Sequence, residues 1–356
     1  MGAIYGSSYY EIVAGPSWTK AKENAISLGG NLASIQTSEE NTYLFTNIVS
    51  TQSNHVWIGG SDQELEGSFK WSDNSPWSYA NWASGEPNNA SVNSVAIKGE
   101  DFAAFWLDGS GGWIDVRDEY YIEQGRVEMN GIAEIPLSYF SISDASFREG
   151  KGGDVTITRT GGTTTSQTLK IVSSDGSATL SNDDYAQVNK TVTFAAGETT
   201  KAINISTTAD LNLESDESFS LTMTAEGSDD VPPQISDGSA TVTIKADDFK
   251  RGNSLYTVAS GSRWSEAEQD ANGLGGHLVT VNSSEENQWL VDTFSSLVSF
   301  NGVMGSRSGS AAYTPRAWIG LSDKEKEGEY KWSSGQNLTY FEPSRGYQLT
   351  GSNQNY

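Results

Sequence analysis

Two stretches of the chain share one hydrophobic rhythm. Trp18, Ala21, Ala25 and Leu28 recur at the three- and four-residue intervals that place side chains on one face of a helix, and Trp264, Ala267, Ala271 and Leu274 repeat them. Each run ends at a glycine pair, a helix stop. A second helix is predicted after each. Thr37 and Glu40, like Ser283 and Glu286, stand at the spacing of a capping box, in which each side chain satisfies a backbone N–H left free at the helix start. Beyond these helices come short aromatic, alternating runs, FKW at 69–71 and YKW at 330–332, which suit strands.

The text itself repeats. LGGNLASIQTSEEN at 28–41 returns as LGGHLVTVNSSEEN at 274–287, and VWIGGSDQELEGSFKWS from Val56 returns as AWIGLSDKEKEGEYKWS from Ala317. The wider spacing of the second copy falls in the Gly/Ser-rich NGVMGSRSGSAAYTP segment, which reads as a surface loop. Because the second copy stops well short of the first, it reads as incomplete. Between the copies the pattern changes to period two in Thr, Ser, Val and Asp, as in DVTITRT from 154, SFSLTMTA from 218 and ATVTIKADD from 240. Several such strands separated by Gly/Asp turns predict an antiparallel sandwich. The expected domains are 1–132, 133–249 and 250–356.

Charge narrows the partners. Of 356 residues, 46 are acidic and 22 basic, a formal charge of −24, with no compact basic cluster. That balance repels nucleic acid and anionic membranes, and no apolar run approaches the ~18 residues of a membrane span. Neither nucleic acid nor membrane insertion is expected. Cysteine is absent, so packing or a metal must do the work of disulfides. The opening MGAIYGSSYY carries no targeting pattern, and the chain reads as a part of a longer protein.

These residues, with GEPNN (85–89), GED (99–101), GGWID (111–115) and YYIEQ (120–124), resemble the C-type lectin domain over residues 5–124. The resemblance implies an α+β fold of two helices, small antiparallel sheets and a long loop that carries Ca2+ and sugar. Calcium takes six to eight oxygen ligands, several of them carboxylates, and a vicinal diol can complete the shell. By resemblance Glu86, Asn88, Glu100 and Asp115 ligate both calcium and sugar, Asp101 adds a metal ligand, and Pro87 is cis. The Glu-Pro-Asn order implies mannose, glucose, N-acetylglucosamine or fucose.

Three positions depart from the pattern. Ile114 replaces the family's amide ligand, and Phe102 and Glu123 stand where cysteines would pair. In the second copy Tyr347, Gln348 and Leu349 fall where Glu86, Pro87 and Asn88 would align, and Glu342-Pro343-Ser344 is a shifted echo. No sugar site is expected there.

The middle segment, in SISDASFREGKGGDVTITRTGG, SSDGSATLSNDDY, LNLESDESFSLTM and ATVTIKADDF, resembles the Calx-beta domain, a seven-strand all-β sandwich with calcium at one tip. The tip acids would be Glu149, Asp175, Asp210, Asp247 and Asp248, with Glu214 near. Ala209 replaces one family aspartate, and Asp183 and Asp184 read as turn formers beside Tyr185. Crowded carboxylates repel one another unless a cation sits among them. A purely structural spacer without an ion stays open.

Nothing points to catalysis. His55 and His277 are the two histidines, neither beside a nucleophile, and no P-loop, GxSxG or HExxH is present. The chain reads as a calcium-dependent glycan-binding module of a bacterial, secreted or cell-surface adhesin, its partners glycans on cells or extracellular polysaccharide. The alternative is a lectin-like scaffold for protein, peptide or ice contacts, with calcium structural only.

Overall fold

The computed structural model describes residues 2–90, 99–118, 121–122, 125–126, 128–227, 231–294, 297 and 317–340. The NGVMGSRSGSAAYTP segment, Glu123 and the stretch from 341 onward, with the shifted Glu-Pro-Ser echo, lie outside them.

The first helix spans Trp18–Ser27 and buries Trp18, Ala21 and Ala25, as the spacing predicts; the Ser17 hydroxyl caps it by accepting from the Lys20 N–H. The second spans Ser38–Asn47, and Thr37 Oγ1 accepts from Glu40 N at 3.1 Å. Only this half of the expected capping box forms. The Glu40 carboxylate turns inward instead, accepting from Tyr10 OH at 2.5 Å and from Gln36 N at 2.8 Å. Glu286 does the same in the second copy, with Tyr256 OH at 2.8 Å and Asn282 N at 2.8 Å. A buried phenol needs an acceptor, and the glutamate supplies it.

These helices flank one eight-stranded sheet, larger than the small sheets expected. Its order is Ala3–Tyr5, Ser8–Gly15, Met129–Pro136, Val56–Ser61, Phe102–Phe105, Trp113–Val116, with Asn31–Leu32 and Lys70–Trp71 paired at the sides. Met129–Pro136 runs antiparallel to Ser8–Gly15 and parallel to Val56–Ser61, so the two ends of the unit meet in its middle. Phe102, at a cysteine position of the family pattern, is 2% exposed and stacks on Trp18 with ring centroids 4.6 Å apart. Aromatic packing thus stands where a disulfide would.

The middle segment is a two-sheet sandwich. One sheet orders Thr200–Ile205, Gly153–Gly161, Ser138–Ile142 and Gln234–Asp237; the other orders Ala145–Arg148, Ser239–Lys245, Glu217–Ala225, Gln167–Ser174 and Asn189–Phe194. Nine segments amount to seven runs, because the first and last runs each break and cross from one sheet to the other. At each crossing they pair in parallel, Ser138–Ile142 with Gln234–Asp237 and Ala145–Arg148 with Ser239–Lys245, which departs from a purely antiparallel sandwich. Phe140, Phe194, Phe219 and Tyr185 fill the space between the sheets.

In the second copy the helices Trp264–Gly273 and Ser284–Phe294 form, and Leu321–Ser322 pairs with Lys331–Trp332. Trp57 and Ile58 of the first copy are wholly buried, whereas Trp318 and Ile319 at the same point of the repeat are 41% and 39% exposed. The strands that cover the first pair, Phe102–Phe105 and Met129–Pro136, have no counterpart among the described residues.

Candidate functional site

The site begins at the strand Trp113–Val116. Trp113 points into the aromatic core, and its indole N–H donates to Asn41 Oδ1 at 2.7 Å. Two residues on, Asp115 is 3% exposed and accepts from two successive backbone N–H groups, Asn88 to Oδ1 at 2.9 Å and Asn89 to Oδ2 at 2.8 Å. It thereby pins the loop after the Glu86–Pro87 bond, which is cis. Glu100 holds the same loop from the other side, its Oε2 accepting from Ala90 N at 2.8 Å, while Glu100 N donates to Asn89 Oδ1 at 2.9 Å.

Glu86 and Asn88 face each other, the amide Nδ2 donating to Glu86 Oε1 at 2.7 Å. The second oxygen, Oε2, is buried and has no partner. Burial, then the neighbouring Asp115 carboxylate and the charge of Glu100, push the Glu86 carboxyl up to about 7. Burial also raises Glu100, against the Ala90 N–H and Arg117. The four predicted ligands thus share one loop and the strand beside it, although Glu86, Glu100 and Asp115 do not bring one oxygen each within 4.8 Å of the others; the orphaned oxygen beside Asp115 fits a cation, whose charge would offset both burial and repulsion.

Behind them is a second group that the sequence reading missed except for Asp101. Asp62 is 3% exposed; its Oδ2 accepts from Gly67 N at 2.8 Å and its Oδ1 has no partner. Glu66 is raised by desolvation first and then by the charges of Asp62, Asp101 and Asp115, with Asn89 bonding it. The signal was the recurrence of SDQELEG as SDKEKEG. Asp323, its copy, is likewise buried with Oδ1 unpartnered. Ile114 takes no part in either group: it is 8% exposed and packs in the core.

At the sandwich tip, one oxygen from each of Glu149, Asp247 and Asp248 lies within 4.8 Å of the others. Neither oxygen of Asp248, 2% exposed, has a hydrogen bond of acceptable geometry, although the Thr257 side chain lies near enough to oppose the rise that burial causes. Burial lifts Glu149 to about 7 and Asp247 to about 6, the latter held down by Arg148. The orphaned Asp248 fits a cation here too. Asp210 lies alongside, its N–H donating to Glu149 Oε1 at 2.8 Å, and lines an open cleft of about 230 Å³ with Glu214 and Asp184.

Asp175 is held elsewhere, accepting from Leu180 N at 3.0 Å and Tyr185 OH at 2.6 Å. Asp184 shapes its turn through Thr179 N at 2.6 Å, and also gathers with Glu214 and Glu217 into a second acidic trio. Glu217 opens a strand of the alternating core, so nothing in its pattern marked it. His55 Nδ1 accepts from Leu107 N at 3.1 Å, and His277 Nδ1 lies 2.8 Å from Leu278 O.

The family model of the lectin C-type domain matches residues 15–120 and 260–355, together more than half of the chain. The chain belongs to the C-type lectin family. A Calx-beta domain model matches residues 133–248 between the two lectin segments. Among curated relatives, halomucin of Haloquadratum walsbyi is 25% identical over 94% of this chain and 4% of its own length. The mouse low affinity immunoglobulin epsilon Fc receptor is 34% identical over 38% of each. The type-2 ice-structuring protein of Hemitripterus americanus is 38% identical over 23% of this chain and 47% of its own. This C-type lectin chain thus spans less than half the length of each of these relatives.

Proposed function

We propose that the first lectin domain binds a glycan through calcium held by Glu86, Asn88, Glu100 and Asp115, with Asp62, Glu66 and Asp101 bracing the same loop around a further ion. The observation that carries this reading is Glu86 Oε2, buried without a partner beside Asp115. When bound, calcium would supply open coordination positions for two hydroxyls of a sugar diol. The chain's own part is positional: Asp115 fixes Asn88 and Asn89 by their N–H groups, and Glu100 fixes Ala90, so the side-chain oxygens stand ready before a ligand arrives. The Calx-beta domain takes calcium at Glu149, Asp247 and Asp248, with Asp210 beside them.

The setting proposed is extracellular, in a larger surface adhesin. The cysteine-free, −24 composition supports it, as do two families of binding domains and a relative named halomucin. No helix among the described residues is long and apolar enough to cross a membrane. The second reading, a scaffold whose calcium is structural, is favoured by Ile114, which stands at the family's amide-ligand position but packs into the core and offers the site nothing, and by the resemblance to an ice-structuring protein. Isothermal titration of mannose and of fucose with calcium and then with EGTA separates them. Calcium-dependent heat lost in Glu86→Gln supports the lectin reading; calcium binding without sugar heat supports the scaffold.

A further inference from the structure

The two joints of the chain are built differently. At the first, Leu137, Tyr139 and Val231 of the sandwich side enter the core of the first lectin domain, and Thr164 Oγ1 donates to Gly29 O at 2.5 Å. That joint is an apolar core shared across the boundary. At the second, among the described residues, no hydrophobic cluster joins the sandwich to the lectin segment that follows: its small core of Ala267, Ala271 and Leu278 contains only its own residues.

Beside one edge-on ring contact, Phe249 on Phe294 at the boundary itself, what crosses the second joint is charge and hydrogen bonding. Arg148, immediately before Glu149, pairs with Asp247 Oδ2 at 3.2 Å, and the same NH1 donates to Val258 O at 3.0 Å on the far side. Lys151 reaches across to Ser260 Oγ, and Ser260 N donates to Asp270 Oδ2 at 2.6 Å in the next helix. The Arg148 and Asp247 side chains are 14% and 9% exposed, so water screens the pair little. Arg148 is thus the internal counter-cation of Asp247 in the trio, and it is also the strap on the second lectin segment.

We infer that a divalent cation at the trio and the Arg148 strap exclude one another, so that ion occupancy sets how the second lectin segment sits on the sandwich. This rests on the calcium reading of the sandwich tip. A doubly charged ion among the three carboxylates repels the guanidinium a few ångströms away and competes for Asp247; the guanidinium leaves, and its bond to Val258 O goes with it. By linkage the effect runs both ways: removing the guanidinium must tighten ion binding by the factor with which the ion loosens the strap.

The test uses the full chain, which has no cysteine, with exposed Thr222→Cys and Glu285→Cys carrying a donor and acceptor dye. Energy transfer is read in EGTA and in calcium, and calcium binding by titration calorimetry, the sandwich heat being the part lost in Glu149→Gln. Calcium is expected to change the transfer of the parent chain. Arg148→Gln in EGTA is expected to give the calcium-bound transfer and to bind calcium on the order of tenfold tighter. Glu149→Gln is expected to keep the EGTA value under both conditions. Sandwich calcium heat with unchanged transfer, or weaker binding in Arg148→Gln, overturns this inference alone. Absence of any sandwich calcium heat overturns the calcium reading along with it.

Discussion

Replacing Glu86 by Gln is expected to stabilise the calcium-free protein while removing the stabilisation that calcium gives at the Glu86 loop. The Glu86 carboxyl rises from 4.5 to about 7, chiefly by burial and next through Asp115. Because the folded value is raised, the folded state favours the protonated form; stability is full below 4.5 and declines as pH climbs through about 7. At about 1.4 kcal/mol per pH unit the ceiling is about 3 kcal/mol, and since the side chain is only part-buried, solvent screening reduces this to about 1–2 kcal/mol. Glutamine keeps the bond with Asn88 and carries no charge, so at pH 8 it recovers that amount, a rise in Tm of roughly 3–10 °C. At pH 4 the gain should vanish. Tryptophan fluorescence is the assay, because every tryptophan lies in the two lectin segments and none in the sandwich. With calcium at pH 8 the order reverses: the parent chain is stabilised at this loop and the variant is not. A variant that melts below the parent in EGTA at pH 8, or gains as much at pH 4, would refute the argument that Glu86 is a strained, ion-seeking carboxylate.

Other outcomes follow from the same structure. Ile114→Asn puts an unpartnered amide among Trp18, Phe102 and Val116 and should cost about 1–3 kcal/mol of stability, while leaving mannose binding unchanged because the side chain faces the core; calorimetry reads both. Phe102→Ala, which removes the ring on Trp18 from a domain without disulfides, should cost about 3–5 kcal/mol, visible as early loss of tryptophan fluorescence. Glu134 is raised mainly by burial. It contributes stability below its ordinary 4.5 that is lost as pH rises through its folded value, so Glu134→Gln should flatten the pH dependence of urea unfolding in that range. Asp248→Asn should raise the calcium-free melting temperature of the sandwich by calorimetry and delete its calcium heat, since both buried oxygens lack hydrogen bonds.

Much of this protein is legible from local pattern. The helix at Trp18–Ser27 follows from residues at one-face spacing, whereas Glu86 and Asp115 are singled out by the resemblance of their motifs to the C-type lectin domain, and it is the fold that brings Asp115 to the Asn88 N–H from 27 residues away. The capping spacing of Thr37 and Glu40 was read from the same text, yet only half of it formed. Tyr10 stands thirty residues away in sequence, and nothing local says that its buried phenol will claim the glutamate. Asp62, Glu66 and Asp101 come together only because Val56–Ser61 and Phe102–Phe105 pair across the sheet. The sandwich tip shows the same division: acids were readable, but whether a carboxylate finds hydrogen bonds, as Asp175 does, or is buried without them, as Asp248 is, depends on neighbours the fold supplies. Periodicity determines which face of an element turns inward. Which groups then meet there, and so where charge is left uncompensated, is decided by long-range packing alone.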